Sequence, residues 1–213
     1  MWVANQYNCS KSDTIAVAID KKLLILNVIL EGLYANNTIM NNALNGNKQP
    51  QWGNGTIADK ILVEIREAYS PYPVIQTLNA DLSVNAEIKT FVNCNADALY
   101  YIVLKHRNHL ETWSSIPVSF AGDTVVYNFT DADSKAFASN QKQVSAGVYA
   151  LIVGDVNQDE VVDISDLVNL DIDLSLGSLG YLVNDLTGDG VVDLSDLVAI
   201  DENLINGAVV YKP

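Results

Sequence analysis

Apolar and polar positions alternate through most of the chain before residue 154. Ile61, Val63 and Ile65 alternate with Lys60, Glu64 and Arg66. Val84, Ala86 and Ile88 alternate with Asn85, Glu87 and Lys89, and Val125, Tyr127 and Phe129 with Val126, Asn128 and Thr130. A period of two puts every second side chain on one face, which is the mark of a half-buried strand. Further strands are predicted at Leu23–Tyr34, Ala98–Lys105 and Val148–Val153, with turn signals at Asn45-Gly46, Asn54-Gly55, Ser70-Pro71 and Gly122-Asp123. The most apolar run, Leu23–Leu30, is too short to span a bilayer and reads as a buried strand.

About seven short strands with no long helical pattern predict a mainly β fold, an immunoglobulin-like antiparallel β-sandwich over residues 21–153. Its longest loop is the Asn-rich stretch Asn36–Gly55, expected to be a mobile surface segment or a contact site. Residues 1–20 read as an N-terminal extension with a strand-like end at Thr14–Ile19, either a simple leader or an arm that adds to a neighbouring sandwich edge. Cys9 and Cys94 form either one disulfide or two buried thiols.

From residue 154 the period changes. The stretch DVNQDEVVDISD, Asp155 to Asp166, recurs thirty residues later as DLTGDGVVDLSD, Asp185 to Asp196. A hard cation takes six to eight oxygens, and an EF-hand loop supplies them from positions 1, 3, 5, 7, 9 and 12, position 7 through its backbone carbonyl. Those positions hold Asp155, Asn157, Asp159, Val161, Asp163 and Asp166 in the first copy, and Asp185, Thr187, Asp189, Val191, Asp193 and Asp196 in the second. Each loop gathers carboxylates that repel one another unless a cation neutralises them, so two Ca²⁺ ions are expected. Position 6 favours glycine; Gly190 meets this, whereas the first loop has Glu160. Position 12 is Asp in both, and the expected affinity is weak, roughly 10⁻⁵ to 10⁻³ M, which suits a calcium-rich exterior.

After each loop comes an apolar set at helical spacing, Leu167, Leu170 and Leu174 in one copy and Leu197, Ile200 and Leu204 in the other. No helix is predicted before either loop, so these are half-hands, loop and exit helix only. Val162 and Val192, at position 8, are placed to pair across the two loops. The C-terminal unit, 154–213, is therefore a small α-helical domain that depends on metal.

The net charge of −14 sharpens this division. Residues 154–213 hold thirteen acidic residues against one lysine, while the preceding part is nearly balanced. Such acidity, with no basic stripe, excludes nucleic acid as a partner.

The ligand positions and their tandem arrangement resemble a type I dockerin domain, over Gly154–Asn206. That resemblance implies calcium ligation by the residues named above and a cohesin-like protein partner. Positions 10 and 11 depart from the pattern usual in cellulosomal dockerins: they are Ile164-Ser165 and Leu194-Ser195, with Asp171 and Asp201 on the following helices. The segment YYIVLKHRNHLETWSSIPVSF, Tyr100–Phe120, with VVYNFTD after it, is similar to β-sandwiches that precede dockerin-like repeats in large secreted proteins of Bacteroidetes-type bacteria, which implies a non-catalytic surface or assembly module.

No nucleophile elbow, phosphate loop, HExxH or CxxC occurs, so no enzyme is expected. His106, His109 and Glu111 lie close in HRNHLETW. On a strand the two histidines would point to opposite faces, on a helix the i, i+3 spacing would let both ligate, and the surrounding sequence favours strand followed by turn, against a shared metal. Trp2, Trp52 and Trp113 with ten tyrosines raise a sugar-stacking alternative, Trp52 being the expected exposed platform and Trp113 a packing residue. The reading is thus a secreted or cell-surface, non-enzymatic assembly module without membrane insertion, its partner a cohesin-like protein or copies of itself, including a filament built by strand donation. The alternative is a carbohydrate-binding accessory module of a secreted polysaccharide-degrading enzyme or cellulosome-like complex, with polysaccharide as ligand.

Overall fold

Among the described residues, 20–213 of this computed structural model, twelve strands and two α-helices follow one another. The strands are β1 (Asp20–Asn27), β2 (Tyr34–Asn36), β3 (Ile39–Met40), β4 (Ile57–Glu67), β5 (Val74–Ser83), β6 (Glu87–Cys94), β7 (Leu99–His106), β8 (His109–Trp113), β9 (Val118–Ser119), β10 (Thr124–Asn128), β11 (Lys142–Ser145) and β12 (Val148–Ala150). Helices α1 (Ile164–Leu176) and α2 (Leu194–Ile205) close the chain. The expected strand at Thr14–Ile19, together with Trp2 and Cys9, lies outside the described residues. Cys94 is buried. No helix among the described residues is long and apolar enough to cross a membrane.

The fold is mainly β, with two main sheets face to face. One has the order β5-β4-β7-β8 with β9 also on β7, and the other the order β10-β1-β6. Leu24, Leu26, Ile88, Val92 and Val125 of the smaller sheet share one core with Ile61, Val63, Ile65, Leu82, Ile102 and Leu104 of the larger. Each such side chain, fully buried, contributes on the order of 1.5–3 kcal/mol. The outer face of the larger sheet carries a smaller cluster in which Trp113 packs edge-on against Tyr72 and Tyr101 at 5.8 and 5.5 Å.

Two expectations change. The sandwich is not wholly antiparallel, because β1 pairs in parallel with β10, from Leu23 opposite Thr124 to Asn27 opposite Asn128. The long crossover through the other sheet brings β10 back in the same direction. The strand expected at Leu23–Tyr34 stops at Asn27, and Val84 and Ala86 lie in the turn before β6, where Ala86 has φ 60°.

Both helices start in the same way. Asp163 and Asp193 are N-caps, each accepting from the N–H two residues on at 2.7 Å, and Asp166 and Asp196 complete a capping box. An oxygen at this place satisfies an orphan helix donor and is worth about 1 kcal/mol. One face of each helix reaches a second core of Val156, Val162, Leu170, Leu186, Val192 and Ile200, which also takes Leu110, Ile152 and Val153 from the sandwich. Val162 and Val192 meet in that core, but the expected pairing between the loops is replaced. Val162 N–H donates to Ala208 in the C-terminal tail and Val192 N–H to Ser178, each at about 2.7–2.9 Å. The thirty-residue offset leaves a different flanking segment beside each loop, and each strand pairs with its own.

Candidate metal centres and the joint beside them

The two loops coil alike. Positions 4 and 6 are left-handed in both: Gln158 and Glu160 have φ 59° and 77°, Gly188 and Gly190 have φ 72° and 78°. The first loop therefore makes the same turn without glycine, at a cost of roughly 1 kcal/mol per residue.

Their acidic side chains turn inward onto loop N–H groups. Asp166 Oδ1 accepts from Val156 and Asn157 at 2.9 and 3.2 Å, and its Oδ2 from Asp163 at 3.0 Å. Asp196 repeats this, Oδ1 accepting from the Thr187 N–H at 2.9 Å and Oδ2 from Asp193 at 2.9 Å. The Thr187 hydroxyl also donates to Asp196 Oδ1, at 3.0 Å, which leaves a lone pair of that hydroxyl for a further partner. Asp155 Oδ1 accepts from Asp159 at 3.1 Å, and Asp185 Oδ2 from Gly190 at 3.0 Å. At position 5, Asp159 and Asp189 accept from Val161 and Val191 at 3.2 and 3.0 Å.

Among the described residues no group of three or more His, Cys, Asp or Glu side chains is placed to hold a metal ion. An EF-type set, however, mixes carboxylates with amide, hydroxyl and carbonyl oxygens. One atom fits such a set. Asp185 Oδ1 is buried and has no hydrogen-bond partner. A carboxylate oxygen sealed from water is costly, yet a bare Ca²⁺ at about 2.3–2.6 Å approaches closer than a water oxygen does. Burial, together with the charges of Asp196 and Asp189, pushes the Asp185 carboxyl up to about 7, against the N–H of Gly190 and the charge of Arg107. Burial and the neighbouring Asp166 push Asp155 up to about 6. Asp166 and Asp196 are raised too, burial being the main cause, whereas bonds from Ser165 and Ser195 lower Asp163 and Asp193.

The sandwich holds the first loop at its entrance, where Gly154 N–H donates to the Asn108 carbonyl at 2.8 Å, and grips the second from two sides. The turn between β7 and β8 inserts Arg107 and Asn108 at its entrance. The Arg107 guanidinium donates to the carbonyls of Leu182 and Asp185, and Asn108 Nδ2 to those of Val183 and Asp185 at 3.0 and 3.2 Å. From the other side the Asn-rich loop closes on positions 4 and 5. Leu44 N–H donates to Gly188 at 2.7 Å and Lys48 Nζ to the Asp189 carbonyl at 2.7 Å. That stretch is thus a contact site, and its contact is with its own chain.

Behind the turn lies a buried polar chain. His106 and His109 do not point apart, because the strand ends between them and a two-residue turn sets them face to face, Nδ1 to Nδ1 at 2.9 Å. His106 Nε2 lies 3.1 Å from Asp59 Oδ2, and His109 Nδ1 lies 2.8 Å from Asn108 Oδ1. Hydrogen-bond polarity assigns the protons: His106 carries its proton on Nε2, and His109 on Nδ1. Both rings are then neutral, in keeping with burial that lowers both. Burial opposes ionisation of Asp59, but His106, Arg107 and Tyr181 outweigh it and hold the carboxyl at about 2. Tyr181 and Trp52 both donate to Asp59 Oδ1, at 2.6 and 3.0 Å, and their rings meet edge-on at 5.7 Å. Trp52 is therefore half-buried in the joint rather than an open platform, and Trp113 is a packing residue.

The far faces of the helices remain open. Ile164, Val168, Ile172 and Leu176 follow one another at four-residue steps along α1 and are 54–73% exposed. Leu194, Val198 and Ile205 repeat the feature on α2, at 67–74%. Leu167, Val168, Asp171, Ile172 and Leu197 line a cavity of about 400 Å³ between them.

No protein-family model matches the chain, and no curated protein does. Among the solved structures that share the fold is a chain of the crystal structure of a type II Cohesin-X-Dockerin complex from Acetivibrio cellulolyticus, an N-terminal interface mutant, similar with a TM-score of 0.50 at 14% identity, over 88% of this chain and 97% of that one.

Proposed function

We propose that the chain is a non-enzymatic, extracellular docking module whose two loops bind Ca²⁺ and whose helices α1 and α2 carry the surface for a protein partner. The observation that supports the docking reading best is the apolar row repeated on both helices. Exposed apolar side chains are ordinary when single, but a contiguous row at helical spacing is the sign of an interface. A calcium ion in each loop would be held by Asp155, Asn157, Asp159, Val161, Asp163 and Asp166, and by Asp185, Thr187, Asp189, Val191, Asp193 and Asp196. It would neutralise carboxylates that the fold has already buried and so fix the direction in which each helix leaves its loop. The similar chain comes from a complex that joins a cohesin to an X-dockerin, so a cohesin-like β-sandwich is the partner class proposed. Self-association through the same face is disfavoured, because that surface is acidic in every copy and neither helix contains Lys or Arg.

The test is a titration of the chain against a type II cohesin, in calcium and in chelator. Binding is expected in calcium alone. The pair Ile164→Asp and Val168→Asp, or Leu194→Asp and Val198→Asp, should weaken it roughly 100-fold or more while stability changes by less than about 0.5 kcal/mol. Equal binding in chelator, or by both double variants, removes the reading.

A further inference from the structure

A second polar joint lies at the other end of α2. Asn203, 3% exposed, projects from the helix between two sandwich residues, Glu31 and Lys142. Its Nδ2 donates to Glu31 Oε2 at 2.7 Å and to the Val153 carbonyl at 2.9 Å, and its Oδ1 accepts from Lys142 Nζ at 3.1 Å. Lys142 Nζ lies 2.6 Å from Glu31 Oε1. The carboxamide orientation is secure, since the Nδ2 side meets two acceptors and the Oδ1 side a donor. An amine, a carboxamide and one carboxyl group in contact with both form a closed triangle. These three groups come from separate parts of the chain, and a simple ion pair between Lys142 and Glu31 does not require the asparagine.

We propose that Lys142 and Asn203 become joined by an intramolecular isopeptide bond, with Glu31 as the catalytic proton carrier. Glu31 takes a proton from the Lys142 ammonium. The freed Nζ lone pair attacks Asn203 Cγ, which lies one C=O bond, about 1.2 Å, from an oxygen that Nζ already touches. The C=O electrons move onto Oδ1, and a second Nζ proton passes by way of Glu31 to Nδ2. The Cγ–Nδ2 bond then breaks, the carbonyl reforms and ammonia leaves, to be protonated by Glu31. The sum is ammonium plus carboxamide going to a secondary amide plus an ammonium ion, with charge conserved and nothing oxidised or reduced.

The surroundings suit the proton carrier. Burial raises the Glu31 carboxyl, against bonds from Lys142, Val153 and Asn203, and so brings its affinity for a proton nearer to that of an amine. Glu31 touches both the attacking and the departing nitrogen, so a single group serves both transfers. Glu202 Oε2, 2.9 Å from Lys142 Nζ and largely exposed, works the other way. Glu31 and, after it, Glu202 hold the lysine as ammonium against burial, and since Glu202 takes no part in the proton transfers, Glu202→Gln should shorten the time to bond formation several-fold. The bond would fasten α2 covalently to β11 and thereby the C-terminal unit to the sandwich.

Intact-mass measurement and peptide mapping of the full chain, folded in calcium, test this without relying on a variant's stability. The expected mass is that of the sequence less one ammonia, with the Lys142 peptide linked to the Asn203 peptide. Glu31→Gln, Lys142→Arg and Asn203→Ala should each restore the full mass. Recovery of Lys142 and Asn203 in separate peptides overturns the proposal, as does an ammonia loss confined to the Asn206-Gly207 peptide, where succinimide formation releases the same molecule.

Discussion

The first loop opens to solvent at Asn157, Gln158, Asp159 and Glu160, whereas in its copy the residues at positions 4 and 6, Gly188 and Gly190, are buried and Thr187 is half-buried. The partners differ as well. The first loop touches the C-terminal tail, through Val210 N–H to the Glu160 carbonyl at 2.8 Å and Lys212 Nζ to the Glu160 carboxylate. The second is gripped by the β7–β8 turn and the Asn-rich loop. Two sequences that match position by position thus have unequal tasks. The first keeps its positions 3 to 6 in solvent, and the second is the sandwich's main point of attachment.

Small substitutions at equivalent positions should break that equivalence most visibly. A Cβ at Gly188 would overlap Leu33 Cδ2, on a backbone with φ 72°. Gly188→Ala should therefore cost about 2–4 kcal/mol, the strain of a left-handed alanine added to overpacking. Gln158→Ala, at the same loop position and exposed, should stay within about 0.5 kcal/mol. Denaturant unfolding of the two variants in calcium measures the difference, and similar losses would mean that the loops are equally held.

Much of this asymmetry was hidden from the sequence for a definite reason. The strands β4, β6 and β10 show an alternation that one buried face imposes, and the helices show theirs. β5 alternates as well, Leu78, Ala80 and Leu82 inward against Thr77, Asn79 and Asp81, but it starts with the exposed apolar pair Val74 and Ile75, which blurs the pattern. The proposed ligand positions are readable because they are local, twelve consecutive residues each. The joint depends on Asp59, Arg107, Asn108 and the carbonyls of 182–185, which are brought together only by the sandwich. No periodicity relates them. The sequence around the histidines points to a strand and then a turn, but not to the turn falling between His106 and His109, which is what brings their rings together.

The next largest effect should follow from loosening the clasp itself. Occupancy at about 100 times the dissociation constant stabilises by roughly 2.7 kcal/mol per site. Asp159→Ala should abolish the first contribution and Asp189→Ala the second. Arg107→Ala, far from both in sequence, should weaken calcium binding at the second site alone, by about 1–2 kcal/mol, because it leaves the Leu182 carbonyl without its side-chain donor and the Asp185 carbonyl with that of Asn108 alone. Calorimetric titration resolves the two sites, and an equal change at both contradicts the clasp.

The smallest effect is one of pH in chelator. Asp155 and Asp185 hold protons in the fold up to about 6 and about 7, while unfolded they release them near 3.8. Across that window the folded state binds more protons, so their contribution makes the metal-free fold less stable as pH rises. His106 and His109 act oppositely, since their neutral forms cost stability as pH falls below about 6.5. The clean observable is a difference: Asp185→Asn should gain melting temperature relative to the native chain as pH rises from about 5 to about 7.5, and Asp155→Asn should gain less. A gap that does not vary with pH would remove the buried-carboxylate account.

The paired glycines of the second loop carry a consequence for how duplicated motifs drift apart. A Cβ on Gly190 would stand 2.6 Å from the Asn45 carbonyl, so Gly190, like Gly188, is fixed by a neighbour as well as by its turn. Gln158 and Glu160 show that the same backbone tolerates long side chains where no neighbour intrudes. The second loop's closer likeness to an ideal pattern therefore records the surface pressed against it, and a ranking of the two copies by pattern would measure confinement in place of affinity. The more exposed copy is the one able to change its residues at positions 3 to 6, and with them the cation preference proposed for it, without disturbing the rest of the molecule.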